Sequence, residues 1–394
     1  MEKLIQKKPV SVLLIDDQHI IAEAVKRIIH NETDIEFHWC QDPTDALTTA
    51  IAYKPTVILQ DLMMPDIDGL MLVKYFRAHH ETKNIPLVVL SVKDDPMIKA
   101  RAFAEGADDY MVKLPDKEEF LARIRYHSKA YISFLERNYA FEQLEESQKA
   151  LKKEIDDAAE YVLSILPPPF VSPHISTAWR FIPSTVLGGD IFGYHLLDKD
   201  HFALYLIDVC GHGVGAALLS ISAANVLREK SPVGFDFLDP KSILTRLNDL
   251  FPMEKHNNMF FSMWYGIYNI QKKIITYVNA GHPPAIIKTI GQKQCIQLTN
   301  PGVMIGAMPK VIYENAYLEL TEPSRLYLFS DGVYEQELIS GQTTSLNDFL
   351  SYLSRLPEGA AQEDIEKILT FSLSEKKIPS FDDDFSLVIT DFNF

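Results

Sequence analysis

LQDLMMPDIDGL, residues 59–70, begins at the last residue of a short apolar run, Val57 to Leu59, and Asp61 follows this run after Gln60. Two further apolar runs, Val10 to Ile15 and Leu87 to Leu90, are also followed by polar residues and then by a helical stretch. Runs of this kind are typical of buried parallel strands joined by crossover helices. The sequence therefore predicts a doubly wound α/β domain whose site lies at the carboxyl ends of its strands.

Charged and hydroxyl side chains occur where these strands are predicted to end. They are Asp16, Asp17, Asp61, Ser91 and Lys113, the last after the shorter apolar pattern Tyr110-Met111-Val112. Three carboxylates at one edge repel one another unless a cation lies between them, and oxygen ligands suit a hard ion such as Mg²⁺. A nearby ammonium and hydroxyl would complete a site for a transferred phosphoryl group. Asp16 and Asp17 alone could instead cap the following helix, but the full set favours a phosphoryl site.

Together with IDDQ at 15–18, LS at 90–91 and YMVK at 110–113, the opening stretch resembles the response-regulator receiver family. The resemblance implies a doubly wound parallel five-stranded sheet, and phosphorylation of Asp61 by a sensor histidine kinase. It further implies that Mg²⁺ is held by Asp16, Asp17, Asp61 and the backbone carbonyl of Met63. Lys113 would contact the phosphoryl oxygens, and Ser91 and Tyr110 would form the switch pair that moves on phosphorylation.

The chain departs from this family at one loop. The family usually has Lys-Pro where this chain has Lys113-Leu114-Pro115. We therefore expect the loop that carries Lys113 to be shaped differently.

A long helical segment follows, because residues 118–166 contain neither Gly nor Pro and are closed by three prolines at 167–169. Two rows at heptad spacing run along it: Phe141, Gln148, Ile155 and Val162, and Leu144, Leu151, Ala158 and Ile165. Seven of these eight are apolar, which predicts a coiled coil and hence a homodimer, with Gln148 setting the register. The alternative is a single helix packed against its own domain. The predicted division is a receiver at 1–120, a helical linker at 121–166 and a third region at 167–394.

The third region alternates short β-like runs with helical patterns, which predicts an α+β domain. Four aspartates lie next to its predicted strands: Asp190, Asp208, Asp331 and Asp383, the first three with glycine close by. Any one of them alone is typical of an Asp-Gly turn. Together they suggest a divalent-metal centre, in which two ions roughly 3.5–4 Å apart activate a water and clamp an in-line phosphoryl displacement.

Six segments in order carry a second resemblance: LGGDIFGY, IDVCGHGVGAALLS, NAGHPPAII, PGVMIGAMP, LFSDGVYEQ and DDDFSLVI. They look like the PPM-type phosphatases, specifically the SpoIIE/RsbU-like serine phosphatase branch. The resemblance implies a β-sandwich flanked by helices, with two Mn²⁺ or Mg²⁺ ions. It makes Asp208, Asp331 and Asp383 catalytic metal ligands, adds the Val209 carbonyl, and lets Asp190 act on a metal directly or through water.

Several positions near these motifs need separate interpretation. The family often has Asp where Gly193 stands and Thr where Ser386 stands. Cys210 is expected to be a packed small residue, and His212 and His282 are expected to be structural.

Composition limits the remaining possibilities. The formal net charge of −16 disfavours a nucleic-acid partner, because an acidic surface repels phosphate. Cys40, Cys210 and Cys295 are far apart, which predicts free thiols in a reducing compartment. Neither an N-terminal signal region nor an apolar run of roughly 18 residues is found, so we expect a cytoplasmic protein without a membrane span.

These features lead to one functional hypothesis. Phosphorylation of Asp61 would gate a protein serine/threonine phosphatase, whose substrate by family resemblance is a phosphorylated anti-sigma-factor antagonist. The alternative is a non-catalytic adaptor that binds a sigma factor or anti-sigma partner through a phosphatase-like module. The retention of all the acidic metal positions favours the enzyme, since an adaptor has no need for mutually repelling carboxylates.

Overall fold

A computed structural model describes residues 9–65, 67–113, 115–228, 236–357, 359–374, 376 and 380–394. The chain divides into two compact units, Met1–Lys149 and Ala150–Phe394. Across the described ranges, we find no helix with both the length and the apolar character needed to cross a bilayer. Leu114, on which the predicted change of loop shape rests, lies outside the described residues.

The first unit contains a parallel five-stranded sheet in the order β2-β1-β3-β4-β5. Its strands are β1 Val10–Ile15, β2 Ile35–Cys40, β3 Val57–Asp61, β4 Leu87–Ser91 and β5 Asp109–Val112. The helices between them are α1 His19–Ile29, α2 Ala46–Tyr53, α3 Gly69–Ala78 and α4 Pro96–Ala104, followed by α5 Lys117–Ile165. This order and direction confirm the predicted doubly wound receiver fold.

Differences in burial explain why some strands of this sheet could be predicted from the sequence and β2 could not. Every residue of β3 and β4 is buried, as expected for central strands covered on both faces. The edge strand β2 instead alternates between partly buried and exposed residues over most of its length. Its IEFHWC sequence therefore has no continuous apolar run, and sequence analysis did not single it out.

The long helix α5 is confirmed, but its apolar positions fall into different surroundings. Near its start, Phe120 and Ile124 are buried in the core of the first unit. Farther along, Phe141 and Leu151 are 58% and 57% exposed. Val162 is buried against Leu187 and Ala217 of the second unit. The end of the helix thus follows the alternative of packing on its own domain, and pairing along the exposed middle stays a prediction.

The second unit is built from two antiparallel five-stranded sheets. The first has the order β13-β10-β9-β8-β7 and the second the order β12-β11-β14-β15-β6. The strands are β6 Ile175–Ile182, β7 Ile191–Leu196, β8 His201–Val209, β9 Phe261–Asn269, β10 Ile274–Ala280, β11 Ala285–Thr289, β12 Cys295–Leu298, β13 Ala316–Glu319, β14 Ser324–Phe329 and β15 Phe385–Phe392. The helices are α6 Val214–Arg228, α7 Pro240–Leu250, α8 Leu346–Arg355 and α9 Ala361–Leu373.

Both sheets contribute to one shared core. Leu204 and Tyr268 of the first sheet and Val388 and Phe392 of the second are all buried in it. The rings of Tyr268 and Phe392 lie 4.3 Å apart between centroids, which joins the two sheets directly. Helices α6 and α7 pack on the first sheet and α9 on the second. The predicted β-sandwich flanked by helices is confirmed.

Candidate functional site

The receiver unit gathers three carboxylates at the carboxyl ends of β1 and β3. Oxygens of Asp16, Asp17 and Asp61 all lie within 4.8 Å of one another. The Lys113 ammonium, which follows β5, forms ion pairs with Asp16 at 2.9 Å and with Asp61 at 2.7 Å. The parallel sheet therefore brings together the four charged residues that sequence analysis predicted at this edge.

This cluster has the donor atoms that a hard cation requires. Asp17 Oδ1 and Asp61 Oδ1 are buried and have no hydrogen-bond partner. Burial raises the pKa of Asp16, although its hydrogen bond to Lys113 opposes the rise. Buried carboxylate oxygens without donors fit a divalent ion with oxygen ligands. Met63 lies on the loop after β3, where its backbone pairs with Asp68.

The two predicted switch residues converge on one backbone atom. The Ser91 hydroxyl donates to the Lys93 carbonyl at 3.2 Å, and the Tyr110 hydroxyl donates to the same carbonyl at 2.5 Å. Tyr110 is buried, so its ring lies inside the unit. A displacement of the loop that carries Lys93 therefore changes the hydrogen bonds of both side chains.

The second unit places its four predicted aspartates on loops and strand ends of both sheets. Asp190 immediately precedes β7 and Asp208 lies near the end of β8, so both belong to the first sheet. Asp331 follows β14 and Asp383 precedes β15, so both belong to the second sheet. The site is thus assembled where the two sheets meet, with two carboxylates from each.

Electrostatics shows that these carboxylates lie close enough to repel one another. Burial raises the pKa of Asp208 to about 7, and the charges of Asp331 and Asp383 add to the rise. Burial also raises the pKa of Asp331 to about 6, again with a contribution from Asp383. Asp190 is fully buried, and burial and then the Asp208 charge raise its pKa well above the ordinary value. Converging carboxylates of this kind are typical of a site built for cations.

Glycine is required where these loops approach each other. A Cβ atom on Gly189 would lie 3.0 Å from the Val209 carbonyl oxygen. A Cβ on Gly332 would lie 3.0 Å from the Asp383 carbonyl oxygen and closer still to that of Asp384. Both contacts are tighter than ordinary packing, so a side chain at either position would force the carboxylate loops apart.

Sequence analysis missed several residues of this site. Asp384 is 3% exposed, and its charge contributes to the raised pKa values of Asp190 and Asp208. The Ser386 hydroxyl donates to Asp190 Oδ2 at 2.5 Å, and Glu335 adds negative charge near Asp331. The three consecutive aspartates at 382–384 were a signal, but the sequence does not reveal which of them faces the cluster.

The departures from the family pattern have different outcomes. A Cβ on Gly193 would overlap the hydroxyl and ring of Tyr205, its cross-strand neighbour, so this chain has no space for the family's aspartate.

The expectation that Cys210 is packed is wrong, because its side chain is exposed on the loop after β8. His282 is buried, and burial lowers its pKa to about 4, which fits a structural role. Burial raises the pKa of Asp383, and the nearby, exposed His212 opposes that rise.

An acidic edge on a doubly wound sheet and a carboxylate set at the end of a β-sandwich define the class: a receiver joined to a PPM-type phosphatase domain. Family models agree with this division. Residues 12–125 match the response regulator receiver domain, and residues 198–393 match stage II sporulation protein E (SpoIIE). The chain therefore combines a response-regulator receiver domain with a SpoIIE-type PPM phosphatase domain.

Individual relatives match each part. Phosphoserine phosphatase RsbP of Bacillus subtilis is 27% identical over 242 residues, 61% of this chain and 58% of that protein. Phosphoserine phosphatase RsbU of the same organism is 27% identical over 209 residues, 53% of this chain and 60% of that protein. The transcriptional regulatory protein TrcR of Mycobacterium tuberculosis is 34% identical over 118 residues, 30% of this chain and 44% of that protein. The chain thus spans 44% to 60% of the length of these three relatives.

A solved structure supports the fold of the second unit. The SiaA-PP2C domain of Pseudomonas aeruginosa superimposes with a TM-score of 0.52 at 20% sequence identity. The match covers 63% of this chain and 98% of that domain. At this identity the similarity establishes the fold alone.

Proposed function

We propose that this chain is a metal-dependent protein serine/threonine phosphatase whose activity is gated by phosphorylation of Asp61. The observation that carries the proposal is the carboxylate set of Asp190, Asp208, Asp331 and Asp383. These residues come from both sheets, and the pKa of Asp208, the most central of them, is raised to about 7 by burial and by its acidic neighbours. Such a set is stable in the charged form when cations bind between its members.

Asp208, Asp331, Asp383 and the Val209 carbonyl would hold two divalent ions, Mn²⁺ or Mg²⁺. When bound, such ions supply an activated water and stabilise negative charge on a phosphoryl group. Asp190 is buried, and Ser386 fixes its carboxylate through a hydrogen bond of 2.5 Å. Asp383 is exposed to solvent, so a phosphorylated side chain could approach it.

The substrate class follows from the relatives and from the family resemblance. RsbP and RsbU are named phosphoserine phosphatases, and their matches cover 61% and 53% of this chain. We infer that the substrate is a phosphorylated serine or threonine on a small anti-sigma-factor antagonist protein. The phosphodonor for Asp61 would be a sensor histidine kinase.

Phosphate release from a phosphoserine peptide in the presence of Mn²⁺ tests the proposed activity. The wild-type chain should release phosphate, and Asp208→Asn should lower the rate by roughly a hundredfold or more, because a ligand is lost. Asp382→Asn is the matched control: this neighbouring carboxylate is 64% exposed and pairs with Lys376 at 3.1 Å. If the wild type binds an anti-sigma antagonist but never dephosphorylates it, the adaptor alternative is correct.

Gating requires a route from the receiver to the phosphatase domain, and we assign it to α5. Ser128 of this helix accepts a hydrogen bond from Thr56 at 2.9 Å within the first unit. Near the other end, Val162 packs against Leu187, three residues before Asp190. A rotation or shift of the helix would therefore reach the loop that carries Asp190.

Beryllofluoride, which mimics a phosphoryl group on aspartate, tests this gating. With Mg²⁺ present it should change the rate of phosphate release by the wild-type chain at least severalfold. Asp61→Asn should abolish the response. A response of equal size in wild type and Asp61→Asn would show that the receiver does not gate the enzyme.

The exposed middle of α5 supports the proposed homodimer. Phe141, Leu144 and Leu151 are each more than half exposed, at one heptad or half-heptad spacing. Two copies would cover these side chains by pairing along the predicted seam. Sedimentation of the full chain should give a dimer, and Leu151→Glu should dissociate it. A wild-type monomer at high concentration would contradict the pairing.

A further inference from the structure

Both carboxylate oxygens of Asp384 accept hydrogen bonds from the loop that precedes β7. Its Oδ1 accepts hydrogen bonds from the Ser184 amide at 2.8 Å and the Ser184 hydroxyl at 3.0 Å. Its Oδ2 accepts the Asp190 amide at 3.2 Å. Gly188 leaves room for this group, since a Cβ there would lie 2.7 Å from the carboxylate carbon. Asp384 therefore fixes the backbone on both sides of Gly188.

The side chain of Asp190 is held as well, by a residue close to Asp384 in the chain. Ser386, two residues after Asp384, donates its hydroxyl to Asp190 Oδ2 at 2.5 Å. Asp384 thus holds the main chain of Asp190, while Ser386 holds its side chain. Because both belong to the start of β15, the position of Asp190 depends on the position of that strand.

Ser330 joins the third carboxylate loop to this arrangement. Its hydroxyl donates to the Asp384 carbonyl at 2.8 Å and accepts the Ser386 amide at 3.2 Å. Ser330 immediately precedes Asp331, and Asp384 immediately follows Asp383. The hydrogen bonds therefore connect Asp190 of the first sheet with the loops that carry both acidic residues of the second.

We propose that Asp384 is a positioning residue of the metal centre, which sets the place of Asp190 relative to Asp331 and Asp383 without binding an ion itself. This inference rests on the proposed function, because it assigns a role within that centre. The three adjacent aspartates, Asp382, Asp383 and Asp384, then have different roles although their side chains are chemically identical. Asp382 pairs with Lys376, Asp383 is exposed, and Asp384 is buried and accepts hydrogen bonds from the amides of Ser184 and Asp190.

The substitution Asp384→Asn removes one hydrogen bond and preserves the size of the side chain. An asparagine has only one acceptor oxygen, so either the Asp190 amide or the Ser184 amide then faces an NH₂ group. The Asp190 loop should shift, and the Kd for Mn²⁺ should rise by roughly tenfold, as for other outer-shell partners of metal ligands. Ser386→Ala should have a similar effect, and Ser386→Thr, which keeps the hydroxyl, should restore the affinity.

A double-mutant cycle with Asp190→Asn separates positioning from the alternatives. Mn²⁺ is titrated by calorimetry into the full chain carrying Asp17→Asn, which removes a ligand of the receiver cluster. If Asp384 acts through Asp190, Asp384→Asn changes the Kd by less than twofold once Asp190 is already Asn. An equal tenfold loss in both backgrounds, or no loss in either, overturns the proposal.

Controls distinguish this outcome from failure of the proposed function. Asp382→Asn should leave the Kd within twofold of the starting value, and circular dichroism of each metal-free variant reports whether it folds. If Asp384→Asn does not fold, Ser386→Ala supplies the same cycle through the other contact to Asp190. A starting chain that binds no Mn²⁺ at the second unit contradicts the metallophosphatase function itself, whereas binding with an additive cycle contradicts only the positioning role.

Discussion

The two acidic clusters of this chain differ in what balances their charge. In the receiver, Lys113 lies between Asp16 and Asp61 and pairs with both within 3 Å. In the second unit, no described lysine or arginine forms an ion pair with Asp208 or Asp331, and their pKa values rise to about 7 and about 6. The receiver cluster therefore carries an internal cation, whereas the proposed metal centre of the second unit would depend on bound ions for its charge balance.

This difference matches the two proposed chemistries. In the receiver, the Lys113 ammonium offsets the charge of Asp16 and Asp61 when Mg²⁺ is not bound. A phosphatase centre of the PPM type needs ions at fixed positions, so an uncompensated carboxylate set favours their retention. Both clusters use aspartates at strand ends, yet one would receive a phosphoryl group and the other would remove one.

The largest expected effect is stabilisation by metal. At about 100 times its Kd, Mn²⁺ should stabilise the second unit by about 2.7 kcal/mol, and EDTA should reverse the effect. Calorimetric unfolding of the full chain measures it. Asp208→Asn should remove most of the stabilisation, while Asp17→Asn in the receiver should preserve it. An equal loss of Mn²⁺-dependent stabilisation in the two variants would contradict the proposed difference between the two clusters.

The next effect concerns the internal cation of the receiver. Lys113→Met removes the charge that competes with Mg²⁺ for Asp16 and Asp61, so Mg²⁺ should bind up to roughly tenfold more tightly, or about 1.4 kcal/mol. Trp39 offers a reporter, because its indole donates to the Asp16 carbonyl at 2.8 Å. Tryptophan fluorescence during a Mg²⁺ titration measures the change.

Lys83→Met, at an exposed lysine of the same unit, is the control for this titration. It should leave the Mg²⁺ affinity unchanged. Weaker Mg²⁺ binding in Lys113→Met would mean that the lysine assembles the site more than it competes for it.

The smallest expected effect is a rise in the free energy of unfolding of the metal-free chain when one carboxylate of the second cluster is removed. Burial and its neighbours raise the pKa of Asp208 to about 7, compared with about 3.9 in the unfolded chain. Between these values the folded state binds the proton more tightly, so stability falls as pH rises through that window. At pH 7.5 in EDTA, Asp208→Asn should therefore stabilise the chain by about 1 kcal/mol in urea denaturation. The gain should shrink toward pH 4, and a loss of stability at pH 7.5 would contradict the repulsion.

Much of this architecture could be predicted from sequence because central strands and their ends leave strong signals. The run Val10 to Ile15 coincides with β1, and the helix predicted over residues 118–166 matches α5 to within a residue at each end. Aspartates next to predicted strands led to the prediction of both clusters. The edge strand β2 was missed because alternation between partly buried and exposed side chains removes the continuous apolar pattern.

The rest depended on three-dimensional packing. The triplet Asp382 to Asp384 offers three identical side chains, and only the path of the chain into β15 exposes two and buries the third. The heptad rows of α5 predicted a single seam, yet Val162 is covered by Leu187 and Ala217 of the second unit. Apolar periodicity shows that a helix face is covered, but it does not identify the partner.

The most direct test of the account is the Mn²⁺-dependent hydrolysis of p-nitrophenyl phosphate by the full chain. The wild type should show a rate that rises with Mn²⁺ and vanishes with EDTA, and Asp382→Asn should behave like it. Asp208→Asn should remain folded and lose the activity. Metal-independent hydrolysis, or full activity in folded Asp208→Asn, would show that the carboxylate set of the second unit is not a catalytic metal centre.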